Sequence, residues 1–430
     1  MKRSLIASVL CAALVAASCA PTTVEPVDRK VMIIGIDGME WDVMGPLLES
    51  GRLPTFARLM SEGTWGELQS LDVLESPVIW TSIATGKLPE KHGIMGFAKR
   101  PADGGEVVPM TSNVRRVEAI WDILGDEGWS VGIVGWLATW PAEPVNGYLV
   151  TDYFGYGWGP DRTGGDERLT FPVGLASEID GLRVLEEDVA DGRAATFTDG
   201  VIPQGEDLGT KFAALKTCIA GDETNLSVAL HMASQLPVDF YAVYLHGIDG
   251  VCHHFWVDMI PESGPPISRE EEELFDSVIE AYYEEMDAVL ARFLEMADDN
   301  TTVVVTSDHG HSGPKPVGDN YRWGIAMHDP TGVLAFWGKD IAAGRELPDA
   351  SVLDITPTLL ALCGMPVADD MDGRVLTEAM DDEFLRAHPV RTIDTYEPDG
   401  ESADAEGEEP IESEIDDEVR ERLRALGYIE

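Results

Sequence analysis

The strongest constraint on this 430-residue chain is a set of short, uniformly apolar runs, each lying beside Asp or His. Val31–Ile36 reads VMIIGI and ends on Asp37-Gly38, while Phe240–Leu245 reads FYAVYL and precedes Asp249. Thr302–Thr306 reads TVVVT and precedes Asp308-His309; Val333–Trp337 reads VLAFW and follows His328. Val131–Gly135 is a weaker run of the same kind. Runs without polar alternation fit strands buried on both faces, as in a parallel sheet.

Helical periodicity fills the intervals. Asp42–Glu62 is split by Gly51 and Pro54; Arg116–Gly128 and Arg269–Met296 follow, and Ser351–Cys363 carries Ser351 as its N-cap. Strands alternating with helices predict a doubly wound, mostly parallel α/β sheet with helices on both faces. Tyr153–Gly205 is rich in Gly, Asp and aromatics with poor periodicity, and reads as a cap or insertion.

Composition narrows the class. A hydrophobic fraction of 44% with 11 Trp indicates a folded protein. With 78 acidic and 30 basic residues, the formal charge of −48 disfavours a nucleic-acid polymer as partner. Twelve of the acids lie between Glu397 and Glu418, where there is no Lys or Arg. Residues 396–415 therefore read as an acidic disordered linker, and residues 416–430 as a terminal helix that docks through Leu423 and Leu426.

The other end reads as an export signal. Lys2 and Arg3 precede the apolar stretch Leu5–Ala17, which is too short to span a bilayer. Ala16, Ala17 and Ser18 then lead to Cys19, as in a bacterial lipobox. Residues 1–19 are expected to be a signal peptide and residues 20–30 a tether, with residues 31–395 forming the catalytic body. The expected location is extracytoplasmic, with membrane contact only through a lipid on Cys19; secretion as a soluble protein is the alternative. Cys218, Cys252 and Cys363 lack CxxC spacing and are read as buried thiols.

Carboxyl ends of parallel strands converge on one rim, where open α/β sheets bind ligands. A single Asp there is usually a helix cap, but Asp37, Asp249 and Asp308-His309 end three different runs. Asp249 and His253 are four residues apart, one face of a helix if one starts there. Mixed Asp/His donors suit zinc or a similar divalent ion better than calcium. So many donors exceed one tetrahedral ion and fit two, roughly 3.5–4 Å apart. The nucleophile falls within SPVIWTSIATG, where Ser76, Thr81 and Ser82 compete. A helix starting at Ser76 would aim N–H groups at a phosphate, whereas a plain N-cap is the ordinary explanation.

Taken in order, VMIIGIDG, SPVIWTSIATGKLPEKHGI, YLHGIDGVCHH, VVVTSDHG and H-x3-GVLAFWG resemble the blocks of the type I phosphodiesterase/nucleotide pyrophosphatase family. DITPTLLALCGMPVADDMDG resembles the closing helix and loop of the wider alkaline phosphatase superfamily. The resemblance spans Val31–Gly338 and implies an alkaline phosphatase-like fold with a two-metal site. It implies Ser76 as nucleophile, one metal on Asp37, Ser76, Asp308 and His309, and another on Asp249, His253 and His328. It further implies a phosphoryl-enzyme intermediate formed from a small phosphate ester.

One departure stands out: diesterase members often carry Asn three residues after the nucleophile, and this chain has Ile79. Sulfatases of the superfamily resemble one another in C/S-x-P-x-R, and Ser76-Pro77-Val78-Ile79-Trp80 lacks that pattern. A sulfatase-like hydrolase and a phospho-head-group transferase remain the alternatives within the superfamily, and a lipid-anchored metal-binding protein is the non-enzyme one. His92 reads as structural, His246, His254 and His311 as outer partners or exposed residues, and Lys87 and Lys91 as part of a solvated turn. Trp80, Trp256 and Trp323 are candidates for the pocket or the core.

Overall fold

The computed structural model describes residues 29–101, 105–155, 166–317, 320–322, 327–397, 408–413, 416–425 and 428–429. The expected leader with Cys19, the tether up to residue 28, residues 156–165 of the expected cap, Trp323, Leu426 and residues 398–407 lie outside them.

The strands of the main sheet are β1 (Lys30–Ile36), β2 (Thr64–Gln69), β3 (Val131–Val134), β4 (Gly147–Val150) and β5 (Thr170–Phe171). They continue with β6 (Phe240–Leu245), β7 (Thr301–Thr306), β8 (Thr331–Gly338), β9 (Arg345–Glu346) and β10 (Ala350–Ser351). Their spatial order is β9-β2-β8-β7-β1-β6-β3-β4-β5, with β10 also on β2. β1 is central: Val31 faces Phe240 on one side and Thr302 on the other, both in parallel register. β8 runs antiparallel to β7 and to β2, and β5 antiparallel to β4. The sheet is thus mostly parallel, as the buried runs predict.

Alternation along β1 explains why both faces need helices. Met32, Ile34 and Ile36 join one core, whereas Val31 and Ile33 join the other. The first core is covered by α1 (Trp41–Glu49), α2 (Pro54–Glu62), α5 (Glu206–Gln235), α6 (Gly247–Met259) and α8 (Val278–Leu294). The second is covered by α3 (Ser76–Thr85), α4 (Ile120–Asp126) and α9 (Ile355–Leu362). α7 (Arg269–Phe275) and α10 (Asp416–Ala425) complete the longer helices.

Several boundaries differ from the periodicity. The expected Arg116–Gly128 helix shrinks to α4 because the N–H groups of Arg116 and Glu118 donate to His92 O and the Glu397 carboxylate. Arg269–Met296 divides into α7 and α8; α7 buries only Phe275, against Phe255, while α8 turns a long apolar face to the sheet. Ser351 does cap, accepting from Leu353 N over a short turn before α9. The longest helix, α5, carries no clear apolar stripe, because its buried side includes Asp222, Thr224 and Asn225. The described part of 153–205 is a chain of short helical turns whose Ile179, Val189 and Phe197 enter the first core. Glu408–Ser413, within the expected disordered linker, runs against the body: Ile411 N donates to Thr111 Oγ1 and Asn113 Nδ2 to Glu409 O.

Gly35 of β1 has a steric reason. A Cβ there would meet Trp80 Cη2 and Cζ3 at 2.6 Å. Gly35→Ala should lower stability by about 1–3 kcal/mol through overpacking of a full core. A chemical-denaturation midpoint equal to that of the wild type would contradict this packing.

Candidate active site

The rim expected from the strand ends exists. β1, β6 and β7 are parallel and deliver Asp37, Asp249 and Asp308-His309 from their carboxyl ends. β8 is antiparallel, so its entrance lies on the same rim, and His328 pairs with His311 in a two-residue ladder beside it. α6 begins just after β6 and places Asp249 and His253 one turn apart, with His253 Nε2 3.2 Å from Asp249 Oδ1.

His309 Nε2 sits at the hub of these groups. It lies 3.3 Å from Ser76 Oγ, 3.4 Å from Asp37 Oδ1, 3.5 Å from Asp308 Oδ2 and 4.0 Å from Asp249 Oδ1. Asp249 Oδ1 in turn faces His311 Nε2 at 3.1 Å and His328 Nε2 at 3.5 Å. Two groups could each hold an ion: Asp37 with Asp308 and His309, and Asp249 with His309, His311 and His328. His253 Nε2 stands 3.1 Å from His328 Nε2, at the margin of the second group. The structure therefore gathers all seven residues expected from the sequence and adds His311, which is buried rather than exposed.

The donors are presented for cations. A carbonyl can only accept, so the 2.8 Å contact of His328 Nδ1 with Leu74 O and the 3.1 Å contact of His309 Nδ1 with Gly310 O place the proton on Nδ1. Each Nε2 then offers its lone pair to the cluster. Asp37 Oδ1 and Asp308 Oδ2 are buried with no hydrogen-bond partner. Buried acceptors without donors are costly, and a divalent cation would relieve them. The set thus fits a divalent cation, with His309 common to both groups.

Electrostatics tell the same story. Burial pushes the Asp37 carboxyl well above its usual range, and Asp308 and Asp249 add repulsion. Burial also pushes Asp308 up to about 7. Burial would raise Asp249 too, but the imidazoles of His253, His311 and His328 outweigh it and hold that carboxyl well below its ordinary value. His311 is pushed down to about 4 by burial, against the pull of Asp249.

Ser76 is the first residue of α3 rather than its N-cap, which is Glu75. Of the three candidate hydroxyls, only Ser76 Oγ lies in the cluster. Thr81 Oγ1 donates to Pro77 O at 2.7 Å, and Ser82 Oγ accepts from His92 Nε2 at 2.9 Å, because His92 Nδ1 accepts from Ile94 N. The expected fan of helix N–H groups is thinner than anticipated: Pro77 has none, and those of Val78 and Ile79 donate to Glu75 O. The Ile79 side chain is fully buried in the core.

Supporting residues escaped the sequence. Asp37 Oδ2 is held by Tyr244 Oη at 2.5 Å and Trp80 Nε1 at 3.2 Å. Tyr244 was findable, since register places it opposite Gly35, two residues before Asp37. Asp222 of α5 accepts from His246 N, Gly247 N and Tyr282 Oη, fixing the turn that leads to Asp249. His311 lies two residues beyond His309, the spacing of one strand face. Tyr428 Oη lies 2.7 Å from His253 Nε2 and 3.4 Å from Asp249 Oδ2, and no local pattern announces it. Lys87, expected on a solvated turn, is buried between Asp370 and Glu397. No disulfide joins Cys218, Cys252 and Cys363, all of them buried. Among the described residues, no helix is long and apolar enough to cross a membrane.

Residues 31–322 match the profile of the family described as type I phosphodiesterase / nucleotide pyrophosphatase. No curated protein matches the chain in sequence. Among solved structures, human ectonucleotide pyrophosphatase/phosphodiesterase 5 is similar with a TM-score of 0.50 at 12% identity, covering 82% of this chain and 100% of that one. A mutant of the alkaline phosphatase PafA gives 0.51 at 15%, covering 82% and 99%. The 2-O GAG sulfatase BT1596 gives 0.51 at 13%, covering 86% and 76%. At such identities these likenesses speak for an alkaline phosphatase-like fold.

Proposed function

The chain belongs to the type I phosphodiesterase/nucleotide pyrophosphatase family, and from that premise we propose that it hydrolyses small phosphate esters through Ser76 at a two-cation site. The observation that carries the reading is the position of Ser76 Oγ, 3.3 Å from His309 Nε2 in a cluster with the buried carboxylates of Asp37 and Asp308.

Asp37, Ser76, Asp308 and His309 would hold one cation, and Asp249, His253 and His328 the other, with His311 beside the second set. When bound, two divalent ions such as zinc would supply Lewis-acid polarisation of the phosphoryl oxygens and lower the cost of an anionic serine. Ser76 Oγ then forms a bond to phosphorus as the bond to the ester oxygen breaks, and the alcohol departs. Water attacks the phosphoserine in a second step and regenerates Ser76. Trp80 and Tyr244 fix the rotamer of Asp37, and Asp222 fixes the turn that carries Asp249. With Ile79 buried, phosphoryl oxygens receive no amide donor at that position.

The test is turnover of aryl phosphate mono- and diesters, and of an aryl sulfate, by cation-reconstituted protein. Phosphate-ester cleavage with negligible sulfate cleavage is expected; preferential sulfate cleavage would move the chain to the sulfatase reading. Bound cation without turnover of any ester would favour a binding protein. Export and a lipid on Cys19 belong to the same reading, and mass measurement of the mature N-terminus tests them.

Protons should compete with the cations. The Asp308 carboxyl, raised to about 7 in the metal-free protein, must lose its proton to act as a ligand. Cation affinity should therefore fall by at least about tenfold per pH unit below that value, because Asp37, also raised by burial and on the same cation, takes up a proton as well. Chelator competition between about pH 5.5 and 8 measures the slope, and a flat profile would refute the assignment.

A further inference from the structure

Beside Ser76 lies a cavity of about 270 Å³. Its lining includes Asp37, Ser76 and Asp249, the groups that handle the phosphoryl centre in the reading above. Its outer walls are of another character. Phe97, Met110 and Leu137 come from the body, and Val419, Leu423 and Tyr428 come from the C-terminal segment.

That segment is fastened in place. Val419 and Leu423 are buried against Trp140 and Tyr153, which stack on each other with centroids 4.8 Å apart. Arg420 Nη1 donates to Val107 O at 3.1 Å, and Tyr428 N donates to Leu423 O at 2.8 Å. The Tyr428 ring stacks on Phe97 at 4.1 Å while its hydroxyl reaches His253. One residue thus joins the apolar wall to the polar end of the cavity.

The charge inventory is equally informative. Among the described lining residues there is no Lys or Arg. Asp152, the carboxylate on the outer wall, is already engaged by the N–H groups of Ala138 and Trp140. Apart from the imidazoles of His246 and His254, a second phosphate or another anionic group would find no basic side chain there, within a chain of formal charge −48. Uncharged apolar surface would be buried to advantage.

We propose that this cavity binds the organic part of the substrate, that the C-terminal segment is one of its walls, and that the preferred substrates are phosphate esters of uncharged, apolar alcohols. The proposal rests on the Ser76 reading for the position of the phosphoryl group. Leu423 and Tyr428 act here as specificity-determining residues; neither is assigned a chemical step.

The test uses the full chain, cation-reconstituted, with p-nitrophenyl phosphodiesters whose second group is methyl, butyl, hexyl or phenyl, and with the p-nitrophenyl ester of thymidine 5′-phosphate. Each methylene buried is worth about three- to fourfold, so kcat/KM should rise several hundred-fold, about 200- to 1,000-fold, over the five methylenes from methyl to hexyl. The phenyl ester should exceed the nucleotide ester. In Leu423→Asp the chain-length dependence should shrink to within about threefold; Leu423→Asn replaces it should the aspartate variant fail to fold by circular dichroism. A flat wild-type series, a preference for the nucleotide ester, or a full chain-length slope in a folded Leu423 variant would overturn the proposal. Calorimetric binding of hexylphosphonate against methylphosphonate keeps the two readings separable, because it needs no turnover. Tighter hexylphosphonate binding without hydrolysis of any ester would retain the pocket and discard the Ser76 chemistry. Equal binding with active hydrolysis would do the reverse.

Discussion

Ser76→Ala should lower phosphate-ester turnover roughly 10⁴-fold or more while leaving the thermal unfolding midpoint close to wild type. The substitution removes the attacking oxygen itself, and losses of a nucleophile are of this order in enzymes that work through covalent intermediates. Folding should not suffer, because Glu75 rather than Ser76 occupies the N-cap of α3. The Ser76 hydroxyl contacts His309, a group that the carboxylates can orient without it. Rapid-quench labelling with a ³²P-ester should trap phosphoserine in the wild type and none in the variant. Ordinary turnover by Ser76→Ala would mean that another oxygen attacks.

Asp308→Asn should cost both cation and rate. Asp308 is fully buried, and its Oδ2 has no hydrogen-bond partner. Replacing that oxygen by an amide removes an anionic donor, so at least one ion per chain should be lost by elemental analysis, with turnover down by about 10³-fold. The metal-free protein gives a second readout of opposite sense. Burial raises the folded-state Asp308 carboxyl to about 7, well above its ordinary range. It contributes its full stability below the unfolded value and loses it as pH rises through the folded one. Metal-free wild type should therefore weaken between about pH 4 and 7 more steeply than metal-free Asp308→Asn. Asp152 and Asp222, both also raised to about 7 by burial, contribute the same slope to both proteins and cancel in the comparison. An Asp308→Asn protein with its full complement of ions would remove this residue from the ligand set.

How much of this was legible in the sequence depended on which residues buried which surface. The strands β1, β6, β7 and β8 were visible because burial on both faces leaves no polar alternation. β2 was not, because TWGELQ is only half buried, with Glu67 and Gln69 exposed. α5 carries no such signature for the opposite reason: its inner side brackets the end of β6 with polar groups. Asn225 Nδ2 donates to Tyr244 O, and Asp222 receives the N–H groups that follow. A helix that positions a neighbouring backbone through hydrogen bonds loses the apolar stripe by which helices are recognised.

The gathering of the candidate residues was legible, because parallel topology forces the ends of β1, β6 and β7 onto one rim. His328 was harder, since it precedes its strand, and only the antiparallel direction of β8 brings it to the same place. Tyr428 lay beyond local reasoning. Its contact with His253 spans 175 residues of chain and depends on the docking of α10.

The central place of β1 also shapes how the protein reaches its native state. That strand is made before either of its neighbours, which begin only at Phe240 and Thr301, so neither can zip onto it while the intervening chain is still emerging. Pairings so distant in sequence are slow to nucleate and leave an apolar strand open to wrong partners in the meantime. Refolding from denaturant should accordingly be slow and concentration-sensitive, with cation binding recovered only in the final kinetic phase.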